Sequence, residues 1–209
     1  MEMGDYPKAL EYLLEVKNID KVNLGPNHPL YAVTLMNTSQ LYQRMDNMEQ
    51  ALALLLEARN ILSVNKENQD YIASLNNLAI LYSKMGNYDL AIQILNEVEL
   101  RYSKTLGKDH PEYARTLHNL AYMYNKLEQF DKALSYYTDA LEIREKTRGK
   151  KHPEYAVTVL GIADAYRAMK LFDNAEKYYL DGLKIQEEVY GLKHPGYAVS
   201  INNLAILYN

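Results

Sequence analysis

A tyrosine recurs at Tyr31, Tyr71, Tyr113, Tyr155 and Tyr197, at intervals of 40, 42, 42 and 42 residues, and this period constrains the fold more than any other feature of the chain. His-Pro precedes four of the five, at His28-Pro29, His110-Pro111, His152-Pro153 and His194-Pro195, while the second copy reads Asn68-Gln69-Asp70-Tyr71. Eleven residues after each tyrosine stands another: Tyr42, Tyr82, Tyr124, Tyr166 and Tyr208. A further series, Tyr6, Met48, Tyr88, Phe130 and Phe172, is followed three residues later by Ala9, Ala51, Ala91, Ala133 and Ala175. Registers that agree over the whole chain mark a repeat array, in which one supersecondary unit is copied and stacked.

Within a unit, Tyr71, Leu75, Leu78 and Tyr82 fall at i, i+4, i+7 and i+11, one stripe of an amphipathic helix over about residues 71–84. After a break at Met85-Gly86-Asn87, the residues Tyr88, Ala91, Ile92, Leu95 and Val98 mark a second, longer helix that stops near Leu106-Gly107, where glycine suits a left-handed C-terminal cap. Proline at the start of each first helix loses no intrahelical bond, because the N–H there has no partner. Each unit is thus a helical hairpin, and the recurrent alanine lets its two helices approach closely. A single hairpin cannot bury both faces, so the hairpins stack.

Composition narrows the functions. The net charge of -4, from 23 Lys and Arg against 27 Asp and Glu, argues against a nucleic-acid binder or a polybasic membrane anchor. With no Cys there is no disulfide, thiolate nucleophile or Cys-ligated metal, and no apolar run approaches the ~18 residues of a membrane span. We expect a cytoplasmic chain without a cofactor. No P-loop, Rossmann glycine fingerprint, HExxH or EF-hand motif is present, so no enzymatic activity is expected of this segment. Four of the five histidines recur at one register, a unit or two apart, too far from one another to share an ion at ~2 Å, and read as helix-start residues. The helically spaced pair Glu142 and Glu145 reads as a solvated face, and the sequon Asn37-Thr38-Ser39 as idle inside a helix.

The strings LGKDHPEYARTLHNLAYMYNKLEQFDKAL and YGLKHPGYAVSINNLAILY resemble tetratricopeptide repeats of the 42-residue kinesin-light-chain type. The Leu, small, Tyr positions of the first helix (Leu78, Ala79, Tyr82; Leu120, Ala121, Tyr124) and the Ala and aromatic of the second (Ala133, Tyr137; Ala175, Tyr179) match that pattern. The resemblance spans the chain and implies an all-α, right-handed α-solenoid of antiparallel helix hairpins. In the first unit Thr38 and Ser39 replace Leu-Ala and the following linker is two residues short, so different stacking is expected there.

We expect a single solenoid of about five repeats over residues 1–209, opening with an unpaired second helix (about 5–24) and closing with an unpaired first helix (about 196–209). Residues 2–209 hold a whole number of periods, so Glu2 would follow Asn209 in phase. A piece of a longer array or a head-to-tail assembler would satisfy this, and fraying of the orphan helices is the simpler alternative.

Opposite the tyrosines, each first helix carries a stripe expected to face a concave groove: Val33, Asn37, Gln40, Arg44; Ala73, Asn77, Ile80, Lys84; Arg115, Asn119, Tyr122, Lys126; Val157, Gly161, Asp164, Ala168; and Val199, Asn203, Ile206. Asparagine is a mediocre helix former, yet it takes the second place in four units of five. A side-chain amide matches the N–H and C=O of an extended peptide, and the family resemblance implies that Asn37, Asn77, Asn119 and Asn203 grip a peptide main chain. Local bonding within the array is the alternative. Gly161 interrupts the column. Arg44, Lys84 and Lys126, with Arg115 and Arg167 nearby, suggest a basic groove for acidic peptides, although cations also suit helix C-termini. Tyr122, His118, Ile80 and Ile206 are expected to supply side-chain pockets. The leading expectation is a module that binds a peptide or protein partner in this groove. A self-assembling structural array is the alternative, as is a segment of a larger protein whose activity lies elsewhere.

Overall fold

The computed structural model describes residues 5–208. Among them are ten helices and no strand: α1 (Tyr6–Asn23), α2 (Pro29–Arg44), α3 (Met48–Leu62), α4 (Gln69–Lys84), α5 (Tyr88–Thr105), α6 (Pro111–Lys126), α7 (Phe130–Arg148), α8 (Pro153–Ala168), α9 (Phe172–Tyr190) and α10 (Pro195–Leu207). Glu2 and Asn209, which the period places in phase, lie outside the described residues. Even-numbered helices are the first helices of hairpins and odd-numbered ones the second. The chain forms two compact units, Met1–Arg101 and Tyr102–Asn209, each a stack of such hairpins.

The His-Pro element has a defined task. His28, His110, His152 and His194 are the N-caps of α2, α6, α8 and α10, and each Nδ1 accepts the backbone N–H two residues on, at 3.2, 3.2, 3.2 and 3.0 Å. That satisfies one of the orphan donors of a helix start, and the proline behind it has no donor to satisfy. In the divergent copy Asn68 performs the same service, its Oδ1 accepting from the N–H of Asp70 at 2.8 Å. The second helices α5, α7 and α9 end before Gly107, Gly149 and Gly191, whose φ of +83°, +79° and +74° are open to glycine at little cost. Helix α3 has no such glycine. It is 15 residues long, against 18 to 19 for the other second helices, so the expected short linker is corrected: the missing residues come out of the helix, and the linker at 63–68 is longer than those at 106–110, 149–152 and 191–194.

The core follows the registers. Ala51, Ala91, Ala133 and Ala175 are each 0% exposed, whereas Ala9 on α1, a helix packed among the described residues only against the α2 that follows it, is open. Tyr124 stacks on Tyr136 and Tyr166 on Tyr178, each with ring centroids 5.5 Å apart, which ties first to second helix within a hairpin. Thr38 and Ser39 are fully buried, and their hydroxyls donate to Thr34 O at 2.8 Å and Ala51 O at 3.0 Å. Two internal hydrogen bonds therefore let hydroxyls occupy the Leu-Ala position without an unsatisfied polar group.

Candidate functional site

In the first unit, α2 and α4 flank a cleft of about 240 Å³ lined by Gln40, Gln43, Arg44, Asn77, Ile80 and Lys84. Five of these belong to the stripe predicted from helical spacing, and Gln43 joins them by accepting a hydrogen bond from Lys84 Nζ at 3.0 Å. Arg44 and Lys84 stand in the last turns of their helices, where the exposed carbonyls favour a cation. Asn77 is half-buried beside them.

The second unit presents two adjoining clefts that share Tyr122 and Asp164. One, of about 410 Å³, collects Lys126, Arg167 and Lys170 with Glu128 and Asn125, and the Asn125 Oδ1 is buried without a hydrogen-bond partner. Lys126 Nζ stands 5.2 Å from the Tyr122 ring centroid. Arg167 Nε donates to the Tyr179 hydroxyl at 3.1 Å and its Nη2 lies 3.8 Å from Asp164 Oδ1, to which Tyr179 also donates. Burial, reinforced by that bond to Asp164, pushes the Tyr179 phenol up.

The other cleft, of about 390 Å³, lies at Gly161 between α6, α8 and α10 and includes His118, Tyr137, Val157, Gln186, Val199 and Asn203. Its form depends on an exchange between two helices. Tyr137, from α7, is 1% exposed, and a Cβ at Gly161 would sit 2.7 Å from its Cε1 and 3.0 Å from its hydroxyl. The ring is held by Ala121, Ala133 and Ile162, so it cannot yield cheaply. The break in the asparagine column is thus the space that Tyr137 needs to reach the cleft floor. His118 meets the same ring edge-on at 5.3 Å. Burial, and then the charge of Arg144, push the His118 imidazole down to about 3, so it is neutral at pH 7. Burial also raises the Tyr137 phenol, with Asp164 and Tyr122 adding to the shift.

Of the predicted residues, the structure brings Arg44, Asn77 and Lys84 together in the first unit, and His118, Tyr122, Lys126, Arg167 and Asn203 in the second. Asn37, Asn119 and Arg115 lie outside these three clefts. Asn37 is exposed on α2, Asn119 is half-buried on α6, and Arg115 is ion-paired with Glu112 one turn back. Arg115 and Arg167 face carboxylates, and no Lys or Arg lines the Gly161 cleft. Tyr137, Tyr179 and Gln186 were missed because they belong to second helices. Their sequence signal is the change from Leu55 and Leu95 to Tyr137 and Tyr179 at one register, coincident with Gly161. No group of three or more metal-ligating side chains, and no helix long and apolar enough to cross a membrane, occurs among the described residues.

The profile of the tetratricopeptide repeat matches residues 1–63, 70–146, 113–185 and 155–209. No curated protein matches the sequence. Among solved structures, the nearly identical TPR-like repeats of Podosopora anserina, assigned to a kinesin light chain, share 25% identity over 90% of both chains with a TM-score of 0.74. BtubC (BKLC) from P. vanneervenii superposes with a TM-score of 0.75 at 19% identity, covering 97% of this chain and 80% of that one. MamA does so at 0.58 and 19%, over 88% and 91%, and these last two likenesses are likenesses of fold. With its repeats matched from one end to the other, the chain belongs to the tetratricopeptide repeat family.

Proposed function

We propose that the chain binds a short extended peptide of a protein partner along the exposed stripe of its first helices. Tetratricopeptide repeats are generally non-catalytic protein-interaction scaffolds, which agrees with this reading at the coarser level. The observation that carries it is the first-unit cleft, where Gln40, Asn77 and Gln43 place three amides beside Arg44 and Lys84 on an otherwise well-packed surface. Amides of this kind offer both donor and acceptor to a peptide main chain, and the two cations favour a peptide with acidic residues near that cleft. Peptides selected against the full chain, then measured against Asn77→Ala and Asn119→Ala, test it. We expect a loss of about tenfold or more for Asn77→Ala and weakening as salt rises from low to physiological strength. Affinities unmoved by either substitution would remove the amide mechanism.

A second reading, head-to-tail self-association, is favoured by exposure at positions buried in every other unit. On α10, Ile201 is 44% exposed and Ala205 open, where Leu75, Leu117 and Val159, and Ala79, Ala121 and Ala163, are buried. On α1, Ala9 and Val16 are open, where Ala51 and Ala91, and Ala58 and Val98, are buried. One helix lacks the face that the other offers, a heterologous contact of the kind that makes rings or filaments. Light scattering over a concentration series tests this, and a strict monomer at the highest concentration contradicts it.

A further inference from the structure

The Gly161 cleft differs in charge from the one beside it. Its only ionised wall residue is Asp164, and both of that carboxylate's contacts, from the Tyr179 hydroxyl and from Arg167 at 3.8 Å, fall on Oδ1. Two further polar atoms, the acceptor Gln186 Oε1 and His118 Nδ1, an acceptor when the proton sits on Nε2, are buried with no hydrogen-bond partner, and Gln186 is only 5% exposed. Val157 and Val199 form apolar walls that are 45% and 60% exposed. An open site that offers an aliphatic wall, a carboxylate and unpaired acceptors, but no cation, is complementary to a long side chain ending in N–H donors.

We propose that this cleft takes one long basic side chain, lysine or arginine, from a bound peptide. Its aliphatic stem lies on Val157 and Val199, and its charged end reaches Asp164 and the Asn203 amide. Across Tyr122 the neighbouring cleft sets Lys126, Arg167 and Lys170 against Glu128 and the shared Asp164, an excess of cations that favours an acidic residue next to the basic one. The missing side chain at Gly161 is what gives the site its depth, with the Tyr137 ring as its floor. This inference rests on the peptide-binding reading above and adds which side chain the second unit selects.

The test is a random peptide library displayed on phage, selected against the full chain and against Asp164→Asn. Position 164 is partly exposed, and melting followed by circular dichroism verifies that the variant keeps its fold. Peptides selected on the unaltered chain are expected to share Lys or Arg at one position, and norleucine there should weaken binding by about tenfold. Selection on Asp164→Asn should still yield binders, without the basic residue. Binders with no fixed basic position, tolerance of norleucine, or the same basic preference in Asp164→Asn overturn the proposal while leaving the peptide reading intact. Failure to recover any binding peptide overturns both.

Discussion

The two units are built from the same repeat, yet they fill one register differently. In the first, Leu55 and Leu95 stand on the second helices, and the first-helix stripe of α4 carries Asn77. In the second, Tyr137 and Tyr179 take the leucine register, and the asparagine register reads Asn119, Gly161 and Asn203, broken only at the hairpin that follows Tyr137. Tyr137 lies against Gly161 of the following hairpin, whereas Tyr179 bonds Asp164 and Arg167 of its own first helix. A leucine ends short of the neighbouring first helix, but these tyrosines, still fully buried, reach far enough to place the Tyr137 ring against Gly161 and the Tyr179 hydroxyl on Asp164. The repeat thus fixes where helices go, while one second-helix residue decides what the cleft between first helices offers.

The sharpest way to break this comparison is to restore the first unit's pair in the second. Gly161→Asn alone should cost about 1–3 kcal/mol by driving a side chain into Tyr137. Tyr137→Leu alone should cost about 2 kcal/mol or more through the cavity it leaves. The double variant should be more stable than the sum of the two predicts, by about 1 kcal/mol or more in a denaturant double-mutant cycle. Simple additivity would mean that the two positions do not trade space.

Next in size is a buried charge found in the second unit. Arg144 is 3% exposed and donates to Glu154 O at 2.7 Å and to the Thr158 hydroxyl, while its Nε has no partner. Burial pushes the guanidinium down, and Leu62 holds this register in the first unit. Arg144→Leu should therefore be close to neutral, within about 1 kcal/mol, in thermal melting, because desolvation offsets much of what the two bonds contribute. A loss of several kcal/mol would show the arginine to be a structural anchor.

His118 gives a pH signature that the first unit lacks, since Met36 and Asn76 occupy its register. Its folded pKa, about 3, lies below the ordinary 6.5, so the unfolded chain binds the proton first. The stability linked to this group is complete above pH 6.5 and declines as pH falls from 6.5 towards 3. His118→Met should flatten melting temperature against pH in that window, and an unchanged slope would show that the ring is protonated without cost.

The smallest effect concerns the turns within hairpins. Gly86 in the first unit has a φ of +78°, while the same position holds Asp46 in the first unit and Glu128 and Lys170 in the second, at φ of +60°, +58° and +62°. Lys170→Gly should stabilise by about 1 kcal/mol, read from the denaturation midpoint, by relieving left-handed strain. No gain would mean that the side chain repays its strain locally.

The hairpins were legible because the tyrosine and alanine registers combine a helical period with a unit period, and each signal supports the other. The stripe through Asn77, Ile80 and Lys84 was legible for the same reason: it lies on one helix, where spacing alone defines a face. Tyr137 and Gly161 were not, because their relation joins two helices, and a glycine read along its own helix is only a gap. Arg144 and Gln186 escaped for another reason. A polar residue facing the next hairpin has the same spacing as one facing water, and only packing separates the two. His118 was expected to supply a pocket and lines the Gly161 cleft, but its neutral state required knowledge of Tyr137 and Arg144 around it.

The account rests on first helices, rather than second helices, meeting the partner. Amide chemical shifts of the labelled chain, followed while a selected peptide is added, test that directly. The expected result is a set of perturbed residues running through Gln40, Asn77, Ile80 and Lys84 in the first unit and Tyr122, Asp164 and Asn203 in the second. Perturbations confined to the outer faces of α3, α7 and α9, with those residues silent, would contradict it.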